Sequence, residues 1–348
     1  MEGSIALLRA QYFEQVDPPN LSLPDGPALV SPAMQTAIYK NMFNENTAWP
    51  LPPAPYQARV LKAIIARIEE SISDPDEDEI LDALLEKWSS LLSAPKPSAV
   101  EQAQELTYIK YTAPTLHAAK PIPDSRKHRT VITSESRSLI LASGTTGFRT
   151  WEAALHLGTF LSTTSHGESL LANKRVLELG AGTGFLSFLT AKYLGAESVL
   201  ATDRDPALIE QIDACIGKNG LDKSMVRTGI WEWGSPLQVP SFSEGEGAAE
   251  SEVGFDVALG ADLIYDVDLV PLLVSTVKDL FNNYSLKEFI ISATVRNGDT
   301  FRTFLETCER NRLAVEQIPF TSPPRETQTG FFHSTSIPIR TYRVQAMS

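Results

Sequence analysis

Short apolar runs alternate with longer stretches of helical spacing along the second half of the chain, from about Lys174 onward. The runs have the length of buried strands, and the stretches between them place apolar residues three or four positions apart, as helices do. The predicted strands are 176–179, 198–203, 225–230, 255–260, 288–295, 313–319 and 336–344. This order predicts an α/β fold with a doubly wound, mostly parallel sheet, in which the terminal pair contributes one antiparallel strand.

The first 105 residues carry a different pattern, in which prolines interrupt amphipathic helices. The predicted helices cover 5–13, 56–72 and about 75–92. We expect the third to be capped by Asp74, with Pro75 in its first turn and Glu77 where a capping box places an acid. Because the region has no chemical motif, the sequence predicts an N-terminal helical domain over 1–105 that recognises the substrate.

A connecting segment of strands and loop, over 106–143, leads to a second domain over 144–348. Its strand-like runs are 106–111, 131–133 and 138–142. A polar glycine loop at 144–147 then precedes Trp151, so we expect this indole to face a ligand from the head of a helix. The alternative for Trp151 is an ordinary core position. A stretch rich in Ser, Gly and Glu, at 240–254, predicts a flexible acidic insertion.

Three glycines at alternate positions, Gly180, Gly182 and Gly184, follow the strand at 176–179 and leave no Cβ between the backbone and a ligand. Residue 185 is Phe, so the dinucleotide pattern Gly-x-Gly-x-x-Gly is not met. Asp203 ends the next strand, where an acid accepts hydrogen bonds from ribose hydroxyls. A cofactor with a ribose and no phosphate fits best, which predicts S-adenosylmethionine. The predicted binding residues of this motif are Glu178, Gly180, Ala181, Gly182 and Asp203. A generic strand–turn–helix is the alternative.

Two further strand ends lie at the same predicted edge of the sheet. Trp231 and Trp233 follow the strand at 225–230, and a flat aromatic ring there stacks on adenine; we assign this position to Trp233, with Trp231 as the alternative. Ala261 follows the strand at 255–260 and is also predicted to contact the cofactor.

Asp262 and Tyr265 come next, where this strand end usually faces the reactive part of the ligand; we call this place the reacting end. Amide and nucleobase methyltransferases typically carry Asn-Pro-Pro-Tyr here, whereas this chain has Asp and no prolines. A carboxylate suits a lysine, whose amine must lose its proton at a cost of roughly 4 kcal/mol near pH 7.4. We expect Asp262 to orient the amine and Tyr265 to offer its ring to a methylated ammonium. The alternative is a turn-capping Asp262 and a packing Tyr265.

Composition narrows the classes of function. The chain has 348 residues and a formal charge of −13, which argues against broad nucleic-acid binding. Two cysteines and five scattered histidines lack metal-ligand spacing, so no metal is expected. No apolar run approaches the length of a membrane span, and the N-terminus does not resemble a signal peptide. We therefore expect a cytoplasmic monomer.

These motifs resemble the seven-strand protein-lysine methyltransferases over about 144–344. The marks are Gly-Thr-Thr-Gly at 144–147, Trp-Glu-Ala-Ala at 151–154, Glu-Leu-Gly-Ala-Gly-Thr-Gly at 178–184, Trp-Gly at 233–234 and Asp-Leu-Ile-Tyr at 262–265. With its helical N-terminal region, joined through 108–112, the chain resembles the elongation factor 2 lysine methyltransferase subgroup, in a fungal form. The resemblance implies a seven-stranded class I methyltransferase fold and trimethylation of one lysine of translation elongation factor 2. It implies cofactor contacts at Trp151, Gly180, Gly182, Asp203, Trp233 and Ala261, with Tyr265 nearby.

Two rival functions stay open at this point. One is a methyltransferase that acts on another protein or a small molecule, and the N-terminal domain weighs against a small molecule. The other is a non-catalytic protein that binds S-adenosylmethionine, which the complete set of motifs disfavours.

Overall fold

The computed structural model describes residues 2–95, 98, 105–114, 129–136, 146–237 and 254–347. The chain divides into two compact units, Met1–Thr112 and Ala113–Ser348. The predicted strand at 138–142, Gly144 and Thr145 of the polar loop, and nearly all of the acidic insertion at 240–254 lie outside the described residues. Both cysteines, Cys215 and Cys308, are free and buried.

The first unit consists mainly of helices. They are α1 (Glu2–Phe13), α2 (Gly26–Val30), α3 (Pro32–Ile38), α4 (Ala54–Glu69) and α5 (Asp82–Ser93), and the strand β1 (Thr107–Thr112) follows. The apolar face of α4 supplies Val60, Leu61 and Ile64 to a core that also contains the fully buried ring of Tyr12. The prolines predicted only to interrupt structure also start it, because Pro27 and Pro32 lie in the first turns of α2 and α3, where their fixed φ favours a helix.

The predicted cap at Asp74 is wrong, since α5 begins at Asp82 and not in the acidic stretch. Gln35 is the reason. Its buried side-chain amide donates to the carbonyl of Glu79 at 2.9 Å and accepts from the backbone N–H of Leu81 at 2.7 Å, so these two backbone groups pair with Gln35 instead of with a helix. Leu81 packs against the core from there, and the helix starts only after it.

The second unit contains a seven-stranded sheet with helices on its faces. Its strands are β2 (Thr130–Glu135), outside that sheet, and β3 (Arg175–Leu179), β4 (Ser198–Asp203), β5 (Val226–Ile230), β6 (Val257–Ala261), β7 (Glu288–Thr294), β8 (Leu313–Ile318) and β9 (Ile339–Ala346). Its helices are α6 (Glu152–Thr163), α7 (Ser165–Leu170), α8 (Phe185–Tyr193), α9 (Pro206–Ile216), α10 (Val270–Asn283) and α11 (Gly298–Arg310).

The order of strands confirms the predicted doubly wound, mostly parallel sheet. It runs β5-β4-β3-β6-β7-β9-β8, and β9 pairs antiparallel with both β7 and β8. Successive strands are added on one side of β3 as far as β5, and then on its other side from β6 onward, although β3, β4 and β6 are parallel. Leu179 at the end of β3 pairs with Thr202 and Gly260, so the three strands end side by side and open a crevice at their carboxyl edge. Among the described residues, no helix combines the length and apolar character needed to span a bilayer.

Candidate active site

A cavity of about 310 Å³ opens at this carboxyl edge. All the residues predicted to bind the cofactor or to act at the reacting end line it: Trp151, Glu178, Gly180, Ala181, Gly182, Asp203, Trp233, Ala261, Asp262 and Tyr265. The loops after β3, β4, β5 and β6 and the head of α6 each contribute to its wall. Residues from well-separated parts of the chain therefore meet in one site of the second unit.

The glycine turn owes its composition to the backbone. Gly180, Gly182 and Gly184 have φ values of +59°, +52° and +76°, a region that side-chain-bearing residues rarely adopt. A Cβ on Gly180 would lie 2.6 Å from a methyl of Leu263, and a Cβ on Gly182 would lie 3.0 Å from the carbonyl oxygen of Gly147. Positive φ and close packing thus both require glycine at this wall of the cavity.

Asp203 is held against the glycine turn by backbone donors. One carboxylate oxygen accepts from the N–H of Gly182 at 3.0 Å and the other from the N–H of Asp205 at 3.2 Å. Burial raises the pKa of Asp203 above its ordinary value, and these hydrogen bonds oppose the rise. The carboxylate is therefore oriented and retains acceptor positions for a ligand in the cavity.

Glu178 lies in β3 just before the glycine turn, where it lines the cavity and is buried. Ser187, on the helix after the glycine turn, donates a hydrogen bond to its carboxylate. Burial raises the pKa of Glu178 to about 8, and the Ser187 hydrogen bond only partly offsets that cause. The side chain ties β3 to α8 beneath the turn and is largely protonated at neutral pH.

The two tryptophans after β5 differ in exposure. Trp231 is only 4% exposed, belongs to the core of the unit, and donates its indole N–H to the carbonyl of Ser235 at 3.0 Å. Trp233 is half-buried, and its ring edge lies near Gly180. Both line the cavity, but Trp233 leaves more of its ring available to a ligand.

A third indole, that of Trp151, has two guanidinium groups close to its ring. The Cζ atoms of Arg149 and Arg296 are each 5.3 Å from its ring centre, and its N–H donates to the carbonyl of Thr146 at 3.0 Å. Cation–π contacts of this kind restrain the ring. The polar loop before α6 therefore presents a fixed aromatic ring to the cavity.

Asp262 has an unusual backbone for a non-glycine residue, with φ of +54°. Its N–H donates to the carbonyl of Ser292, while its carboxylate accepts from the backbone N–H of Thr294 at 2.8 Å and from the Thr294 hydroxyl at 3.0 Å. Arg296 Nη1 lies 3.5 Å from the carboxylate. Burial raises the pKa of Asp262, and the Thr294 and Arg296 contacts counteract it. A strained backbone that carries a heavily supported side chain is typical of functional sites.

Tyr265 is 55% exposed, which is unusual for so large an aromatic side chain. It stands at the rim of the cavity, and partial burial raises the pKa of its phenol, so the ring is neutral at physiological pH. An exposed ring face at the mouth of a polar cavity is available to an incoming cation.

Sequence reasoning missed Arg149, Thr294 and Arg296. Thr294 and Arg296 come at the end of β7, the strand beside β6, so their place at the carboxyl edge was a signal that could have found them. Arg149 stood within the loop already assigned to the ligand. No cluster of potential metal ligands occurs within the described ranges.

Comparison with known proteins decides the family. Residues 140–311 match the family described as lysine methyltransferase. A protein-lysine N-methyltransferase EFM3 of Chaetomium thermophilum is 42% identical over 321 residues, which cover 92% of each chain. The Saccharomyces cerevisiae protein of the same name is 28% identical and covers 77% of this chain and 76% of its own. The mouse protein-lysine N-methyltransferase EEF2KMT is 24% identical and covers 77% of this chain and 84% of its own.

The chain belongs to the lysine methyltransferase family. This membership confirms the predicted enzyme class, protein-lysine N-methyltransferase, and S-adenosylmethionine as the methyl donor. The seven-stranded sheet agrees with it, as does the fungal origin of two of the relatives. The non-catalytic alternative is thereby set aside.

Proposed function

We propose that this methyltransferase trimethylates one lysine of translation elongation factor 2. The observation that carries the proposal is the reach of the similarity, which includes most of the first unit because it covers 92% of the chain. The motifs of the second unit are common to enzymes with many substrates, so a match beyond them favours a shared protein target. The name of the mouse relative, EEF2KMT, supports elongation factor 2 as that target.

The cavity has the groups that S-adenosylmethionine requires. Asp203 offers carboxylate oxygens to the ribose hydroxyls, and the half-buried ring of Trp233 offers a stacking face to adenine. Gly180 and Gly182 expose backbone where side chains would stand, and Trp151, Ala181 and Ala261 complete the wall, with Glu178 supporting it from below. When bound, the cofactor supplies a methyl group on a positively charged sulfur.

Asp262 orients the target amine in this proposal and does not take its proton. Thr294 donates two hydrogen bonds to its carboxylate and Arg296 pairs with it, which leaves acceptor capacity for the amine. The lysine would release its proton to solvent, because burial in the cavity and the positive charge of a bound cofactor both disfavour the charged amine. In-line attack of the neutral amine would form the new N–C bond as the bond between that carbon and the cofactor's sulfur breaks, with no covalent enzyme intermediate, and correct positioning would supply most of the acceleration.

Tyr265 acts beside Asp262 at the rim. Each added methyl group removes a hydrogen-bond donor from the lysine nitrogen, so a product that must react again is held increasingly by aromatic contact. The exposed ring of Tyr265 provides that contact, which favours continuation to the trimethyl form.

The first unit is proposed to recognise elongation factor 2, and the enzyme to act as a cytoplasmic monomer. A lysine alone gives little specificity, because most proteins expose several. Stable recognition of a folded partner buries on the order of 800 Å² per side. The independently packed core of residues 1–112 provides such additional surface without any cofactor motif.

The test incubates the purified enzyme with S-adenosylmethionine and unmethylated elongation factor 2, followed by mass spectrometry of the product. We expect one lysine to gain three methyl groups. Asp262→Ala and Tyr265→Ala should lower the rate by about 10²-fold or more, since each removes positioning at the reacting end. Glu309→Ala, on the exposed face of α11, is the control and should keep the wild-type rate. Absence of methylation by the wild type would reject this substrate, and normal rates in both site variants would reject the assigned reacting end.

A further inference from the structure

Arg296 lies two residues beyond β7 and contacts three groups of the active site. Its Nη1 is 3.5 Å from Oδ2 of Asp262, and its Nη2 donates to Oε2 of Glu152 at 3.1 Å. Its guanidinium also packs on the ring of Trp151. One side chain therefore links the reacting end, after β6, to the head of α6.

The environment of Asp262 makes this link consequential. Its side chain is only 9% exposed, and the charged groups that act on it are Arg296 and Glu152. Thr294 contributes two neutral donors. Without Arg296, the Asp262 carboxylate would lose the cation that pairs with it while Glu152 still acts on it, which favours protonation of the carboxylate.

We propose that Arg296 is a positioning residue for methyl transfer, which keeps the Asp262 carboxylate ionised and fixed in direction and couples it to the Trp151 wall of the cavity. Arg296 acts through Asp262 and need not touch the transferred methyl group. The inference rests on the proposed function only for the choice of substrate in the kinetic measurement below.

Arg149 provides a matched control within the same site. It packs on the ring of Trp151 from the same distance, 5.3 Å, and its Nη2 lies 4.0 Å from Glu152. Its ion pairing among the described residues is with Glu152 and does not extend to Asp262. Replacing Arg149 therefore removes a guanidinium from the same ring and the same acid, and leaves the partner of Asp262 in place.

The first measurement is a carbon NMR titration of the Asp262 carboxyl group in the full chain, with the resonance identified by its loss in Asp262→Asn. We expect Arg296→Met to raise the titration midpoint by about one pH unit, because an opposite charge this close lowers an acid's pKa by about 1–3 units. Arg149→Met should produce a much smaller shift. Arg296→Lys, which retains the charge, should restore most of the wild-type midpoint. If Arg296→Met does not fold, Arg296→Gln carries the same expectation.

The second measurement is the pH dependence of kcat with elongation factor 2. Arg296→Met should lower kcat by roughly tenfold or more and move the acid limb of the profile to higher pH, as expected for an interaction that serves the transfer step. The double variant Asp262→Asn/Arg296→Met should be no slower than Asp262→Asn alone, because two residues that act through one contact are not additive.

The two measurements separate this inference from the proposed substrate. An unchanged Asp262 midpoint in Arg296→Met, or an equal shift in Arg149→Met, overturns the role of Arg296 whatever the substrate is. Fully additive losses in the double variant overturn it as well. If the wild type leaves elongation factor 2 unmethylated, the proposed function fails, and the titration still decides whether Arg296 controls Asp262.

Discussion

The two units place their buried acids differently. The first unit buries amides: the Gln35 side chain pairs with backbone groups such as the carbonyl of Val30, and Nε2 of Gln57 donates to the carbonyl of Pro52. Even its buried acid, Glu14, accepts from the backbone N–H of Thr112. These hydrogen bonds hold irregular segments in place. This role is structural and does not require any side chain to gain or lose a proton.

The second unit buries carboxylates around its cavity. Glu178, Asp203 and Asp262 all have raised pKa values, with burial as the largest cause, because their hydrogen bonds compensate for it only in part. Of these, Glu178 is largely protonated at neutral pH, whereas the carboxylates of Asp203 and Asp262 keep hydrogen-bond partners; acids with perturbed pKa values in a crevice are typical of functional sites. The comparison indicates that buried amides shape the first unit, whereas buried acids prepare the second for chemistry.

The largest effect should come from the glycine turn. Gly182→Arg places a side chain on a backbone with positive φ, and its Cβ would lie 3.0 Å from the carbonyl oxygen of Gly147. This variant should abolish binding of S-adenosylmethionine, measured by calorimetry. Asp203→Ala should weaken binding by roughly tenfold or more, since hydrogen bonds to a charged group are worth about 1.5–3 kcal/mol. Gly298→Arg, where a Cβ meets nothing within 4 Å, is the control. Wild-type affinity in both site variants would remove the cofactor assignment.

Deleting the first unit should separate cofactor binding from recognition of the protein substrate. A chain that begins at Ala113 should still bind S-adenosylmethionine, because every described residue that lines the cavity belongs to the second unit. It should lose methylation of elongation factor 2, measured by mass spectrometry, if residues 1–112 recognise that protein. Full activity toward intact elongation factor 2 would contradict the recognition role. An insoluble product would favour the alternative that the deleted helices serve only to shield apolar surface.

Gln35→Ala tests the structural use of buried amides. It leaves the carbonyls of Val30 and Glu79 and the N–H of Leu81 without their partner, so we expect a loss of about 2–3 kcal/mol in the free energy of unfolding. The affinity for S-adenosylmethionine should stay unchanged. Denaturant titration measures the first quantity and calorimetry the second, and a loss of cofactor affinity would break the division of tasks between the units.

The last prediction concerns the pH dependence of stability contributed by Glu178. Its pKa of about 8 in the folded state exceeds the ordinary value of 4.5, so between these values the folded protein keeps a proton that the unfolded chain has released. The free energy of unfolding therefore falls as the pH rises through that interval. Glu178→Gln should make this fall shallower, as denaturant titrations at pH 5 and pH 8 would show. An identical slope in the variant would mean that Glu178 is ionised in the fold.

Much of the second unit was predictable because its signals are local. The alternation of strand and helix periods specified the doubly wound sheet, and the glycine spacing followed by Asp203 predicted a turn that does line the cavity. Parallel strands bring their carboxyl ends to one edge, so residues at those ends, including Asp262, could be expected to converge.

Contacts between distant parts of the chain decided the rest. The start of α5 depends on Gln35, 46 positions before Leu81, and local capping preferences could not anticipate that pairing. Arg296 and Glu152 are 144 positions apart, and only folding brings them to the same indole. The difference between Trp231 and Trp233 likewise depends on which ring the core encloses. By itself, the sequence determined the elements and the chemistry available at their ends, whereas the tertiary structure decided which charges compensate one another, because electrostatic coupling depends on distance and burial in space.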